Sequence, residues 1–275
     1  MGKKRGMAYI LALCAALCFL AQGVPAAEMG LGKTSMLLSG ENAGSRETAL
    51  GRTAAEAVRL AAGTEAAIVN GGDIYRDLAA GTVTEEKLAE TLAEDRTISV
   101  AAVTPRQLYQ ILENGLSHLC LDLENGDRID PEASDFGAFP QLAGLRCKYD
   151  ASALPGERVL SVSLGERELS RTDDSGVVTL AATDWLLSGG WDSPVIAGRE
   201  PAGFTLGEAF KRLLAASPDG VAAPESRMKV IGSGDGSIAE KVIPSRTIGV
   251  LILAFVLCFG LIRSGRKETG RDDFD

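Results

Sequence analysis

Histidine is nearly absent from this chain: its 275 residues include one, His118. Hydrolysis by two metal ions needs several imidazoles and carboxylates to hold the cations roughly 3.5–4 Å apart. A His-Glu-x-x-His zinc site needs two histidines. One imidazole builds neither. No Gly-x-Ser-x-Gly elbow presents a serine nucleophile either. His118, in Gly115-Leu116-Ser117-His118, reads as a surface residue at a helix end. No catalytic residue, metal ligand or cofactor is therefore expected. Basic residues are also in deficit, 28 against 37 acidic, which leaves a net charge of −9. Such a surface repels a phosphate backbone, so nucleic acid is not an expected partner. A small anion would need a local arginine cluster. Aromatics make up only 5% of the residues, so each exposed ring carries more weight. Gly30-Leu31-Gly32-Lys33-Thr34 fails as a nucleoside-triphosphate loop, because Ala27 stands where the pattern needs glycine.

Long apolar runs occur only at the two ends. Met1-Gly2-Lys3-Lys4-Arg5 is basic, Met7 to Leu20 is apolar, and Val24-Pro25-Ala26-Ala27 is small-residued. That order reads as a secretory signal over residues 1–27. Leu13 and Leu17 precede Cys14 and Cys18, where a lipoprotein signal would have small residues. The second run, Ile248 to Ile262, is followed by Arg263, Arg266 and Lys267. Its helix would rise about 22 Å against a hydrocarbon core of roughly 30 Å. Snorkelling of Arg263 and local thinning extend its reach. A transmembrane helix over 247–263 is expected, with a cytoplasmic tail over 264–275 set by the basic cluster. Cell membrane, single-pass, with the larger part outside, is the expected location. No Leu-Pro-x-Thr-Gly sorting motif is present. Cys120 and Cys147 would then face an oxidising compartment; the sequence leaves open whether they pair.

Between the ends, residues 28–217 read as one ectodomain, and the Gly-, Ser- and Pro-rich stretch 218–246 as a flexible tether. Glu47 to Ala62 has a helical stripe stopped by Gly63, and Ala66 to Asn70 reads as a short buried strand. Thr84 to Ala93 is helical and Thr97 to Val103 extended. Thr104-Pro105-Arg106-Gln107 and Thr205-Leu206-Gly207-Glu208 are capping boxes, the second opening a helix to about Ala215. Leu145–Tyr149, Val159–Leu164 and Val177–Ala182 read as strands, with Leu160, Val162 and Leu164 alternating on one buried face. The interleaving predicts an α+β class, a mixed α/β single ectodomain plus one transmembrane helix.

The order of short motifs adds a further indication. Arg46-Glu47-Thr48-Ala49-Leu50-Gly51 comes first, then Ile68-Val69-Asn70-Gly71-Gly72-Asp73-Ile74. Phe139-Pro140-Gln141-Leu142-Ala143-Gly144-Leu145, Tyr149-Asp150 and Pro155-Gly156-Glu157-Arg158-Val159 follow, and Thr183-Asp184-Trp185-Leu186-Leu187-Ser188-Gly189-Gly190 ends the series. From about Gly32 to Pro194 this resembles the C-terminal domain of 5′-nucleotidases, a group that includes UDP-sugar hydrolases and cyclic-nucleotide phosphodiesterases. The resemblance implies a substrate-binding, non-catalytic domain. Two rings sandwich the base, arginines and an asparagine hold the phosphate and sugar side, and an aspartate binds ribose, while a separate metallophosphatase domain hydrolyses. Arg46 matches a family arginine and Asn70 the family asparagine. The next family arginine falls on Tyr75, with Arg76 one step late. The Pro-Phe-Gly-Asn stretch falls on Ala93-Glu94-Asp95-Arg96, which puts Glu94 in place of one ring and predicts repulsion of a nearby phosphate. Trp185 matches the other ring, with core packing as its plain alternative. Gly-Gly-Asp-Gly falls on Gly189-Gly190-Trp191-Asp192, so the aspartate moves to Asp192, and Trp191 would restore an aromatic wall from another direction. Losing one stacked ring should cost about ten-fold in affinity. The resemblance thus implies a nucleoside or nucleotide ligand held by Arg46, Asn70, Arg76, Trp185 and Asp192. It also implies a separately encoded metallophosphatase as partner in nucleotide catabolism. The alternative is a fold kept as a structural or protein-interaction module at the cell surface.

Overall fold

The computed structural model describes residues 30–233. In chain order the elements are β1 (Gly32–Thr34), α1 (Ala49–Ala62), β2 (Ala66–Asn70), β3 (Gly81–Val83), α2 (Glu85–Thr91), β4 (Thr97–Val103) and α3 (Pro105–Gly115). Then come β5 (Leu121–Asp122), β6 (Arg128–Ile129), β7 (Pro140–Ala143), β8 (Leu145–Asp150), β9 (Val159–Leu164) and β10 (Arg167–Leu169). The last are β11 (Val178–Thr183), α4 (Asp184–Leu187), β12 (Glu200–Thr205), α5 (Leu206–Ala215) and β13 (Met228–Ile231). Short 3-10 turns cover Gly71–Asp73 and Gly190–Asp192. The mixed α/β class expected from the sequence is present.

A five-stranded sheet in the order β12-β4-β11-β2-β7 forms the centre. β2 and β11 run parallel, and β4 and β7 run antiparallel to them. Strand side chains alternate between faces, so β2 sends Ala66 and Ile68 to one core and Ala67 and Val69 to the other. The first core packs α3 and the second sheet, β10-β9-β8-β13, through Leu108, Leu112, Phe139, Val162 and Leu180. The second core packs α1, α2 and α5 through Leu50, Val58, Leu88 and Phe210. Covered on both sides, β2 reads as an unbroken apolar run. Full burial of a side chain such as Phe210 contributes about 1.5–3 kcal/mol.

Both capping boxes form as expected, at Thr104/Gln107 and Thr205/Glu208. The first helix starts two residues later than its apolar stripe suggested, because Thr48 Oγ1 accepts from Gly51 N at 3.0 Å and takes the capping position. The alternation expected in β9 fails at Leu160, which is 46% exposed. A bulge shifts the register between Lys148 and Tyr149, and this turns Leu160 outward while Val162 stays buried.

Residues 218–231 are not the start of a tether. Val221 N donates to Lys33 O at 2.9 Å, and β13 pairs in parallel with β8 from Met228↔Cys147 to Ile231↔Asp150. Gly, Ser and Pro content hid a strand whose partner lies far away in sequence. Cys120 is an exposed free thiol and Cys147 a buried one. Burial pushes the Cys147 thiol up to about 12. Among the described residues no helix is long and apolar enough to cross a membrane. The expected signal segment, membrane helix and tail, and residues 234–246 of the expected tether, lie outside the described residues.

Candidate functional site

Three strand ends meet at one edge of the central sheet. β2 and β11 are parallel, so Asn70 and Thr183 end them side by side, and antiparallel β4 begins next to them with Ile98 opposite Thr183. A sheet of this kind leaves a crevice beyond the carboxyl ends of its parallel strands. The Gly71–Asp73 turn follows the end of β2 here, and the Trp185 turn follows the end of β11.

Trp185 sits on the first turn of α4, which Thr183 caps by accepting from Leu186 N at 3.3 Å. Its side chain is 52% exposed, so core packing is not its role. The Trp191 ring meets it edge-on, with centroids 6.1 Å apart at 90°. Two glycines allow this pair. A Cβ at Gly190 would lie 2.3 Å from Trp185 Nε1, and one at Gly137 would lie 2.6 Å from the Trp191 ring. Trp191 and Asp192 both hold left-handed backbone, at φ 52° and 60°. That region costs a non-glycine residue about 1–2 kcal/mol. Asn114 Nδ2 steadies the turn by donating to Trp191 O at 3.1 Å. The left-handed residue Asp192 stands where the family motif has its last glycine.

The face of Trp185 borders a hollow of about 250 Å³ that Asp95, Arg96, Thr183 and Asp184 also line. Arg96 Nε donates to Asp73 Oδ1 at 2.9 Å. Asp73 is fully buried, and burial pushes its carboxyl above the ordinary range although Arg96 draws it down. Arg96 is raised by that same bond; for Asp73, burial outweighs the pairing. Asp184 accepts from Ser99 Oγ and from Arg199 Nε, each at 2.9 Å. The Arg199 bond, then the Ser99 bond, holds the Asp184 carboxyl below its usual value. Asp184 is paired with Arg199 and Arg96 with Asp73, so Asp95 is the one charged residue lining the hollow without an ion-pair partner among the described residues.

The other sequence-derived residues are spread around this edge. Asn70 is fully buried, and its Oδ1 accepts from Thr183 Oγ1 at 3.2 Å, so it braces the floor beneath the Trp185 turn. Its Nδ2 has no acceptor among the described residues. Arg76 lies 3.6 Å from Glu90, both of them exposed, and borders a different cleft of about 940 Å³. That cleft carries Glu41, Asp77, Glu132 and Asp135 against Arg76 alone, so it repels a phosphate. Arg46 is exposed, and its side chain has no ion-pair partner among the described residues. Asp192 borders a third hollow, about 550 Å³, with Arg106, Asn114 and Arg171. Trp185 and Asp192 therefore open onto separate hollows, with Trp191 between them. Glu94 does not face Trp185: it packs against Gly207 and lies 3.8 Å from Lys211 Nζ, so the expected repulsion of a bound phosphate does not arise there.

Two features escaped the sequence reading. Gln141 is fully buried, with Oε1 accepting from Thr48 N and Nε2 donating to Ala43 O and Arg46 O, each at 2.9 Å. It staples the Arg46 segment to the sheet. The Asp73–Arg96 pair was the other. Its one sequence signal is an acid placed directly after a buried strand and a Gly-Gly turn. Among the described residues no group of His, Cys, Asp or Glu is placed to hold a metal ion.

The family described as 5′-nucleotidase, C-terminal domain, matches residues 30–197. The trifunctional nucleotide phosphoesterase protein YfkN of Bacillus subtilis is 33% identical over 155 residues, which is 53% of this chain and 10% of that protein. The 5′-nucleotidase precursor of Thermus thermophilus superposes with a TM-score of 0.63 at 26% identity, over 82% of this chain and 42% of that one. Haemophilus influenzae NAD nucleotidase superposes at 0.59 and 18% identity, over 74% of this chain and 38% of its own, and shows the shared fold alone. This chain spans less than half the length of each of these relatives. With the motif order, the two-core fold and the match over residues 30–197 in agreement, the chain belongs to the 5′-nucleotidase C-terminal domain family.

Proposed function

We propose that this domain recognises a nucleoside or nucleotide outside the cell, with the chain held to the membrane by its C-terminal apolar run. It would serve nucleotide breakdown by a separately encoded metallophosphatase. One observation carries the ligand reading: Trp185, one of the chain's few aromatics, is half-exposed at the carboxyl edge of the parallel strands, beside an arginine fixed by a buried carboxylate. An exposed indole face in such a crevice suits a flat heterocycle. The relatives named above are a nucleotide phosphoesterase and nucleotidases, which supports the same ligand class. Asn70 stays in the proposal as the support beneath the Trp185 turn; Arg46, Arg76 and Asp192 do not line the Trp185 hollow and would meet only the distal groups of a ligand.

Calorimetry on the full chain with nucleosides, nucleotides and UDP-sugars at millimolar concentration tests it. Saturable heat is expected, and Trp185→Ala should weaken binding by about ten-fold, the worth of one base–aromatic stack. No heat with any of these ligands would overturn the reading. It would leave the fold as an interaction module, which the engaged Arg76 and the acidic cleft beside it also fit.

A further inference from the structure

We infer that the Trp185 hollow is selective for guanine over the other bases; this rests on the nucleoside reading above and narrows it. The hollow combines an aromatic side chain with one cation, Arg96, and two acids, Asp95 and the Arg199-paired Asp184. Arg96 spends only Nε on Asp73, and Nη1 and Nη2 have no acceptor among the described residues. Because Asp73 is fully buried, the guanidinium plane is fixed at the rim instead of sweeping solvent. Asp95 borders the same hollow, is exposed, and its carboxylate takes no hydrogen bond among the described residues. Its field acts on Arg96, so the two are close neighbours.

The chemistry of the bases then decides. A fixed guanidinium offers two parallel N–H donors, and a carboxylate offers two acceptors. Guanine alone among the common bases presents two adjacent acceptors, O6 and N7, and two adjacent donors, N1–H and the N2 amino group. Arginine to O6 and N7 is its most frequent specific contact. Adenine turns its N6 amino group toward a guanidinium in that position, donor against donor. Uracil gives a carboxylate one donor; cytosine can take a guanidinium on O2 and N3 but then gives a carboxylate only its N4 amino group, one donor group against guanine's two. The family motif has asparagine where this chain has Arg96, an amide that both donates and accepts. Arg96 only donates, so the change removes the means of accepting from an amino edge. Asp184, the other acid of the hollow, takes Ser99 and Arg199 on Oδ1, and its ion pair with Arg199 makes it a weaker acceptor than the unpaired Asp95.

The test is titration of the full chain with guanosine, inosine, adenosine, cytidine and uridine, free of any phosphate. Guanosine should bind about ten-fold or more tighter than adenosine, cytidine and uridine. Inosine, which lacks the N2 amino group, should fall between. Arg96→Gln should shrink the guanosine-to-adenosine ratio toward one. That variant leaves Asp73 buried without its partner, so Asp95→Asn, which disturbs no buried group, is the second. It should shrink the guanosine-to-inosine ratio and leave the fold intact by circular dichroism. Equal binding of the five, or tightest binding of adenosine, overturns guanine selectivity while the nucleoside reading stands. An unchanged preference in both variants overturns the assignment to Arg96 and Asp95. Binding of none overturns both readings together.

Discussion

Single buried carboxylates carry much of what can be measured at the residue scale. Asp73 is held above the ordinary carboxylate range by burial. The folded protein therefore binds that proton more tightly than the unfolded chain does. Stability from this group is full below about pH 4, its unfolded value, and is lost as pH rises through the higher folded value. Asp73→Asn keeps the neutral shape and should escape that loss. The melting temperature of the variant minus that of the parent should rise between about pH 4 and 7; a flat or falling difference would mean that the Arg96 bond outweighs burial. Glu113 is a buried acid whose two oxygens are both bonded. It accepts from Arg158 N at 3.0 Å, Val159 N at 2.9 Å and Arg171 Nη2 at 2.7 Å. Glu113→Ala strands two buried amides and loosens Arg171, which should destabilise the domain by about 3–5 kcal/mol in urea denaturation. A loss under about 1 kcal/mol would show that water replaces the carboxylate.

At the scale of elements, β13 decides where the domain ends. It is the edge strand of the second sheet, and it covers β8 next to Cys147 and Tyr149. The segment before it bonds through Val221 to Lys33 of β1 and to Ser35 just after that strand. A chain cut after Ser217 should therefore lose roughly 10 °C in melting temperature or fail to fold, whereas one cut after Ser233 should melt like the parent. Equal melting of the two would make β13 an ornament. The bulge in β8–β9 belongs to this scale too: one register slip reverses which side chain is buried, and it explains Leu160 more simply than any property of leucine.

For the molecule as a whole, a net charge of −9 means that attraction of an anionic ligand must be local. The Trp185 hollow sets Asp95 and Asp184 against Arg96, and the larger cleft sets four acids against Arg76, so the proposed recognition rests on the base and not on a phosphate. The proposed anchor is testable at the same scale. Cells expressing the full chain should carry it in the membrane pellet through a carbonate wash, and a chain cut after Ser233 should leave the pellet. Retention of the cut chain would place the attachment elsewhere.

Local chemistry was legible in the sequence, since it depends on neighbours within a few residues. Both capping boxes, the Gly63 stop, the β2 and β4 ranges and the mixed class followed from periodicity and turn residues. Motif order was enough to point to the family, because backbone turns such as Asn70-Gly71-Gly72 have few substitutes. The site was only half legible. Trp185 could be named but not its exposure, and Glu94 could be aligned with a ring but not seen to turn toward Lys211. Those outcomes depend on which strand ends share an edge and which helix packs behind them. The Asp73–Arg96 bond spans 23 positions and the Gln141 staple 95, distances at which side-chain pairing is set by the folded sheet and leaves no periodic trace in the chain.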